Sequence, residues 1–255
     1  MKIVSRTSDK AGELLKRLTT DILDNKNNSN NAVIVHSGRN KIWRENVGGE
    51  DVAIKIYGTS LVKSIIYIFR KTKARKAYEN ALELTKRGVA TPAPLAYGER
   101  RGFMNRLIKS VYISVYEEST PLAHYLDCDN VDVIDQFSCF TAKLHSKGIL
   151  HHDLNSTNVR IMPAPGHATF SLIDINRIKF IPVGITVNLK DRFNNITRFS
   201  SLNDNYIFFV KKYLKYANLP EALFNTAIQS KSRHDTKSSR IHKIKNILKF
   251  TAKTK

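Results

Sequence analysis

The sequence predicts an α+β protein built as a β-rich lobe followed by a mostly helical one. Three observations lead there. Short β-branched and aromatic runs separated by turn formers crowd the first half of the chain. After "EEST" at 117–120 the apolar period changes from strand-like to helical. From Lys231 onward the chain is polar and basic, with nine Lys/Arg and one acid, Asp235. The expected boundaries are 1–116 for an N-terminal antiparallel β-sheet lobe plus helix, 117–230 for a C-terminal helical lobe, and 231–255 for a basic tail.

Residues 9–24 carry weak helical periodicity, and the Asn-rich "DNKNNSNN" at 24–31 breaks it. "AVIV", "KIWRE" and "VAIKIY" then predict a meander, with "VGG" as the turn between the last two. A helix is expected over about 61–87, where Ala74, Ala77, Ala81 and Leu84 form one stripe. Gly88 ends it, and "TPAP" at 91–94 cannot continue a helix. "LAYGE" and "SVYISVYEE" complete a sheet of five strands.

Beyond "EEST", Val133, Phe137, Phe140 and Leu144 share one helical face, closed by Gly148. The loop "HHDLNSTN" at 151–158 leads into a short strand "VRIM", a Pro/Gly turn and a second strand "TFSLIDI". Helices are expected at 200–217 and 220–229, a polar linker at 230–240 and a last basic helix at 241–250.

The 255 residues carry 42 Lys+Arg against 22 Asp+Glu, a formal charge of +20. Such a surface attracts polyanions: nucleic acid, anionic lipid or a phosphate-rich substrate. Apolar residues at 42% are enough for a core, which excludes wholesale disorder. Cys128 and Cys139 form no CxxC pair and no zinc spacing, so two reduced thiols are expected. The N-terminus lacks a basic segment followed by an apolar one, and no apolar run reaches the roughly 20 residues of a membrane span. A cytoplasmic location is expected.

Four features carry chemistry. Lys55 lies in "VAIK" behind apolar Ala53 and Ile54, and a Lys alternating with core positions needs a partner for its charge. Glu79 on the following helix could supply that partner, with Glu83 the alternative. Asp153 and Asn158 stand five apart in the loop. Asp174 ends the apolar strand "FSLID", where an unpaired carboxylate is expensive.

In this order the four resemble the protein-kinase-like fold, whose pattern is VAIK, a helix Glu, H-R-D-L-x-x-x-N and D-F-G. The resemblance implies a bilobal nucleotide-binding enzyme using ATP and Mg²⁺. Lys55 would hold the α/β-phosphates and pair with Glu79, while Asp174 and Asn158 would bind metal. Asp153 would orient the attacking hydroxyl. Tyr116, Glu117 and Glu118 fall where the adenine would bond backbone. Ser37, Gly38, Arg39 and Lys41 fall where the Gly-rich loop would cover phosphate. His151 is expected to hold the loop backbone rather than a metal.

Three departures weigh against a eukaryotic-type protein kinase. "VHSGRNKIW" offers only Gly38 in place of G-x-G-x-x-G. D-F-G is "DIN", with Asn176 at the glycine position, and no A-P-E follows. His152 also replaces the Arg that pairs with a phosphorylated activation loop. "RKAYENALELTKRGVATPAPLAYGE", "HHDLNSTNV" and "LIDINRIKF" instead resemble the bacterial lipopolysaccharide kinase family over about residues 33–215. That family shows a helix acid, a Gly/Pro-rich bend, H-x-D-L-x-x-x-N and D-x-[DN]-R, here Asp174, Asn176 and Arg177. The resemblance implies phosphoryl transfer to Kdo or heptose of a lipid-linked acceptor at the cytoplasmic face of the inner membrane.

Charge patterning fits a membrane-side acceptor better than nucleic acid. Arg70, Lys71, Lys73, Arg75 and Lys76 follow the apolar "LVKSIIYIF". In the tail, Ile241, Ile244, Ile247 and Leu248 alternate with basic positions, a pattern suited to an anionic lipid surface. Two other classes compete: an atypical protein or small-molecule kinase, and a pseudokinase or basic scaffold. Intact Lys55, Asp153, Asn158 and Asp174 weaken the scaffold.

Overall fold

The computed structural model describes residues 1–7, 9–26, 33–37, 41–126, 130–162 and 168–251, with backbone alone at 36–37, 61–63 and 241–251. The chain divides into two compact units, 1–119 with 171–177, and 120–170 with 178–255.

The first unit begins with strand β1 (Lys2–Ser5) and helix α1 (Lys10–Leu23), which Asp9 caps by accepting from the Gly12 amide. Strands β2 (Val33–Ser37), β3 (Lys41–Val47) and β4 (Glu50–Gly58) form the expected meander. Gly48 and Gly49 make its turn at φ 63° and 93°, values that side chains resist. Helices α2 (Leu61–Phe69) and α3 (Lys73–Lys86) precede strands β5 (Pro94–Arg101) and β6 (Leu107–Val115).

The sheet has six strands in the order β1-β5-β6-β4-β3-β2, one more than expected. The addition is β1, which pairs antiparallel with β5; four residues ahead of the first helix gave too short a pattern to register. The single helix expected at 61–87 is two. The chain is extended at Arg70, and the Thr72 hydroxyl caps α3 by accepting from the Arg75 amide. The same hydroxyl donates to the buried Glu99 carboxylate at 2.7 Å. That long-range bond fixes the restart of the helix and has no local signature.

Alternation in the sheet places the site. Ile54, Ile113 and Ala96 lie in register and pack with Leu15, Ile22 and Leu23 of α1. Lys55, Tyr112 and Tyr97 are the next row and point to the opposite face, where Tyr78 of α3 meets Tyr97 at a ring distance of 5.2 Å. The α3 stripe of Ala74, Ala77, Ala81 and Leu84 is buried as expected.

The second unit opens with strand β7 (Thr120–Pro121), helix α4 (Leu122–Leu126) and helix α5 (Val131–Ser146). Strands β8 (Ile149–His151), β9 (Val159–Met162) and β10 (Thr169–Leu172) follow, and the chain passes to the first unit within β10. It returns at strand β11 (Ile178–Phe180), which pairs with β8, and then runs through α6 (Leu189–Ile196), α7 (Asp204–Tyr216) and α8 (Phe224–Thr251). Phe137 of α5 is fully buried against Phe199 at 4.9 Å and Phe209 at 5.4 Å.

The linker expected at 230–240 is helical and lies within α8. No Gly or Pro interrupts 224–251. Lys231 is buried there, donating to the Thr197 carbonyl at 2.9 Å and to Asp235 at 2.8 Å. A polar composition hid a helix that tertiary contacts hold. Side chains of the expected tail stripe, Ile241, Ile244, Ile247 and Leu248, lie outside the described residues, as does Cys128. Cys139 is a free thiol. No helix among the described residues is long and apolar enough to cross a membrane.

Candidate functional site

Lys55 emerges from the middle of β4 toward the α3 face. Its ammonium lies 2.6 Å from Asp174 Oδ1, with only 16% of the Lys55 side chain exposed. The Tyr57 ring stands 5.4 Å from the same ammonium, a cation–π distance. Burial pushes the Tyr57 hydroxyl well above its ordinary pKa, and the Asp174 charge adds to this, so the phenol stays neutral beside the pair.

Asp174 is held in a left-handed conformation, φ 54°. Asp tolerates this region better than most residues, yet it costs free energy that the surroundings must offset. They do so within the first unit. Asn176 donates to Asp174 Oδ1 at 2.9 Å, and Asn80 of α3 donates to the Ile175 carbonyl at 2.7 Å. Upstream, the Leu172 amide and carbonyl bond Ala90 and the Thr91 hydroxyl. The "DIN" segment is thus clamped on both sides. Asn176, at the glycine position of D-F-G, is a structural partner of Asp174.

The expected Lys55–Glu79 pair is not formed. Glu79 accepts from Lys71 at 2.8 Å and Arg75 at 2.8 Å. Burial raises its carboxyl pKa, and these two bonds more than offset that, leaving it below the ordinary value. The alternative, Glu83, pairs with Arg87. Asn80 of α3 reaches the "DIN" segment, and sequence reasoning passed over it because a neutral amide carries no charge signal.

At the end of the sheet, the Tyr116 amide donates to the Asp51 carbonyl at 2.8 Å, and the Arg44 guanidinium stacks 4.6 Å from the Tyr116 ring. Glu117 is half-buried, which raises its pKa, although the Ser171 hydroxyl donates to it at 3.2 Å. Glu118 is exposed. Gly38 and Arg39 lie outside the described residues, as does the Ser37 side chain.

In the second unit, "HHDLNSTN" is a loop tied by its own side chains. His151 is fully buried, and its Nδ1 accepts from the Asp153 amide at 3.2 Å. Asn158 donates its amide to the Asp153 carbonyl at 2.9 Å, closing the loop across five residues. Asn155 Oδ1 accepts from the Thr157 and Asn158 amides and from the Thr157 hydroxyl. His152 is exposed. Arg198 stands 3.3 Å from Asp153 Oδ1.

Behind the loop, Asn195 donates to the His151 carbonyl at 2.7 Å, while its Oδ1 lies 2.9 Å from His145 Nε2. His145 Nδ1 lies 2.7 Å from the Tyr213 hydroxyl. Burial lowers the His145 pKa to about 4; the Asn195 bond opposes this and the Arg192 charge adds to it. A neutral imidazole with Nε2–H donating to Asn195 and Nδ1 accepting from Tyr213 satisfies all three groups. Asn195, Asn155 and Arg198 were missed by sequence reasoning. Only Asn155, a turn former inside the loop motif, had a visible signal.

No protein-family profile and no curated protein sequence matches the chain. Solved structures do. "WaaP in complex with acyl carrier protein" aligns at a TM-score of 0.62 and 16% identity, over 94% of this chain and 99% of that one. An aminoglycoside-3'-phosphotransferase of type VIII aligns at 0.57 and 12%, over 87% and 100%. A microcompartment-associated aminopropanol kinase aligns at 0.52 and 10%, over 85% and 86%. The antiparallel first unit, the helical second unit and these alignments agree: the chain has the protein-kinase-like fold.

Proposed function

We propose that this chain is an ATP-dependent kinase that transfers the γ-phosphoryl group to a sugar hydroxyl, Kdo or heptose, of the lipopolysaccharide inner core. The observation that carries the phosphotransferase assignment is the Lys55–Asp174 pair. It holds a phosphate-binding cation and a metal-binding carboxylate ready, each neutralising the other, in a fold that solved phosphotransferases share.

The roles follow from charge. Lys55 binds the α/β-phosphates. Tyr116, Glu117 and Glu118 flank the adenine through their backbone. Ser37, Gly38 and Arg39, which stand at the Gly-rich-loop position in the sequence, are assigned phosphate binding through amides and charge. Asp174 and Asn158 offer the hard oxygen ligands Mg²⁺ prefers, and Mg²⁺ needs few of them from protein because phosphates and water complete its shell. When bound, that ion neutralises charge on the β- and γ-phosphates. Asp153 accepts a hydrogen bond from the acceptor hydroxyl and orients it, and Arg198 beside it helps fix the carboxylate. Glu79 acts on α3 through Lys71 and Arg75.

The sugar acceptor rests on the sequence resemblance and on the likeness to the structure named WaaP. The basic patches fit a peripheral position on an anionic membrane at the cytoplasmic face. A second reading, a small-molecule kinase, is favoured by the likeness to the aminoglycoside phosphotransferase and the aminopropanol kinase. Radiolabelled γ-phosphate from ATP, offered with purified lipopolysaccharide precursor or with aminoglycosides and amino alcohols, separates the two. Transfer to the small molecules alone would retire the lipopolysaccharide assignment.

A further inference from the structure

α2 and the β5–β6 turn carry exposed apolar side chains. Among the described side chains of α2, Ser64 is buried, Tyr67 and Ile68 are half-buried, and Ile65, Ile66 and Phe69 face solvent, Phe69 with 88% of its area exposed. Ile65 and Phe69 are four apart and share one helical face. At the tip of the β5–β6 turn, Phe103 is 87% exposed and Met104 is 74% exposed. Met104 and Asn105 both hold positive φ, 53° and 59°. Side-chain-bearing residues seldom adopt that backbone, and here it accompanies apolar side chains held outward.

These two elements are fastened together. Arg101 donates through Nη1 to the Tyr67 carbonyl of α2 at 3.0 Å and to the Asn105 carbonyl of the turn at 3.1 Å. Its other nitrogens bond the buried Glu99 carboxylate at 2.8 and 3.0 Å. Glu99 also receives the Thr72 hydroxyl that caps α3. The exposed apolar side chains are therefore carried on one braced platform.

We propose that this platform docks the protein on an anionic phospholipid surface, with Phe69, Phe103 and Met104 entering the interface. The proposal deepens the membrane-side acceptor reading and rests on it. Charge decides the occupant. Exposed Arg70 follows α2 directly, exposed Arg106 closes the β5–β6 turn, and the chain as a whole carries +20. A deformable anionic lipid interface accepts protruding aromatic side chains that lie beside cations.

The test is flotation of the full chain with vesicles of phosphatidylglycerol and phosphatidylethanolamine, against pure phosphatidylcholine. The wild type is expected to float with the anionic vesicles and to be released by salt. The double variant Phe69→Ser, Phe103→Ser is expected to partition about tenfold or more weakly, with unchanged circular dichroism. Val183→Ser removes an equally exposed apolar side chain elsewhere and is expected to float like wild type. Undiminished flotation of the double variant overturns the proposal. So does a wild type that ignores anionic vesicles but binds an acidic protein through Phe69 and Phe103. Flotation without any phosphate transfer by the wild type would sink the kinase reading and leave the docking surface standing.

Discussion

Lys55 and Asp174, 119 positions apart in sequence, meet at 2.6 Å between Nζ and Oδ1. The middle of β4 and the segment just after β10 each place a charge that is largely withdrawn from solvent, and each compensates the other. Lys55→Met and Asp174→Asn should each lower phosphoryl transfer by about a hundredfold or more, as losses of preorganised charge do. Their effects should not add in the double variant, since the pair works as a unit. Initial rates of the four proteins measure this. Additive losses would show that the pair has no joint role.

Glu79 should matter less. Its partners are Lys71 and Arg75, and the three side chains are between 34% and 53% exposed, so the ion pairs are screened. Glu79→Gln is expected to cost about 0.2–1 kcal/mol in stability. Turnover should fall by less than about tenfold, well short of the loss for Lys55→Met. A loss equal to that of Lys55→Met would show that Glu79 leaves its present partners to reach Lys55 during the reaction cycle.

Acid stability should report His145. Its folded pKa is about 4, below the ordinary 6.5, so the unfolded chain takes up the proton first. The neutral imidazole thus contributes stability that is complete above pH 6.5 and is lost as pH falls toward 4. The loss by pH 4 is on the order of 3 kcal/mol. Melting temperatures of wild type and His145→Gln between pH 7 and pH 4.5 check this, and the variant should lose stability less steeply. Parallel slopes would mean that His145 is not buried neutral.

The tail can be cut only beyond the point where α8 is anchored. Truncation after Gln229 removes Lys231, leaving the Thr197 carbonyl without its donor, and should destabilise the protein by at least about 1–3 kcal/mol. Truncation after Arg240 should leave the melting temperature nearly unchanged and weaken anionic vesicle binding through lost cations. Equal stability of the two truncations would contradict the anchoring of α8.

The sequence carried the order of the lobes, the meander and the α3 and α5 stripes because these are local, periodic signals. It singled out Lys55, Asp153, Asn158 and Asp174 by residue type and spacing, and the structure brings Lys55 and Asp174 together. It did not carry the partner of Lys55, because Glu79 and Asp174 both satisfy the charge argument and only packing chooses between them. Asn80, Asn155 and Asn195 escaped because neutral amides look like surface residues until the carbonyl or amide they bond is known. The break before α3 and the helical run at 230–240 depend on Glu99 and Thr197, partners far away in the chain.

In the proposed reaction Asp153 orients a sugar hydroxyl for attack on ATP. The direct measurement is transfer of labelled γ-phosphate to purified lipopolysaccharide precursor by wild type and by Asp153→Ala, with ATP affinity measured in parallel. Labelled sugar is expected from the wild type. A loss of about a hundredfold or more is expected in the variant, with ATP affinity retained. Full transfer by Asp153→Ala would contradict this role.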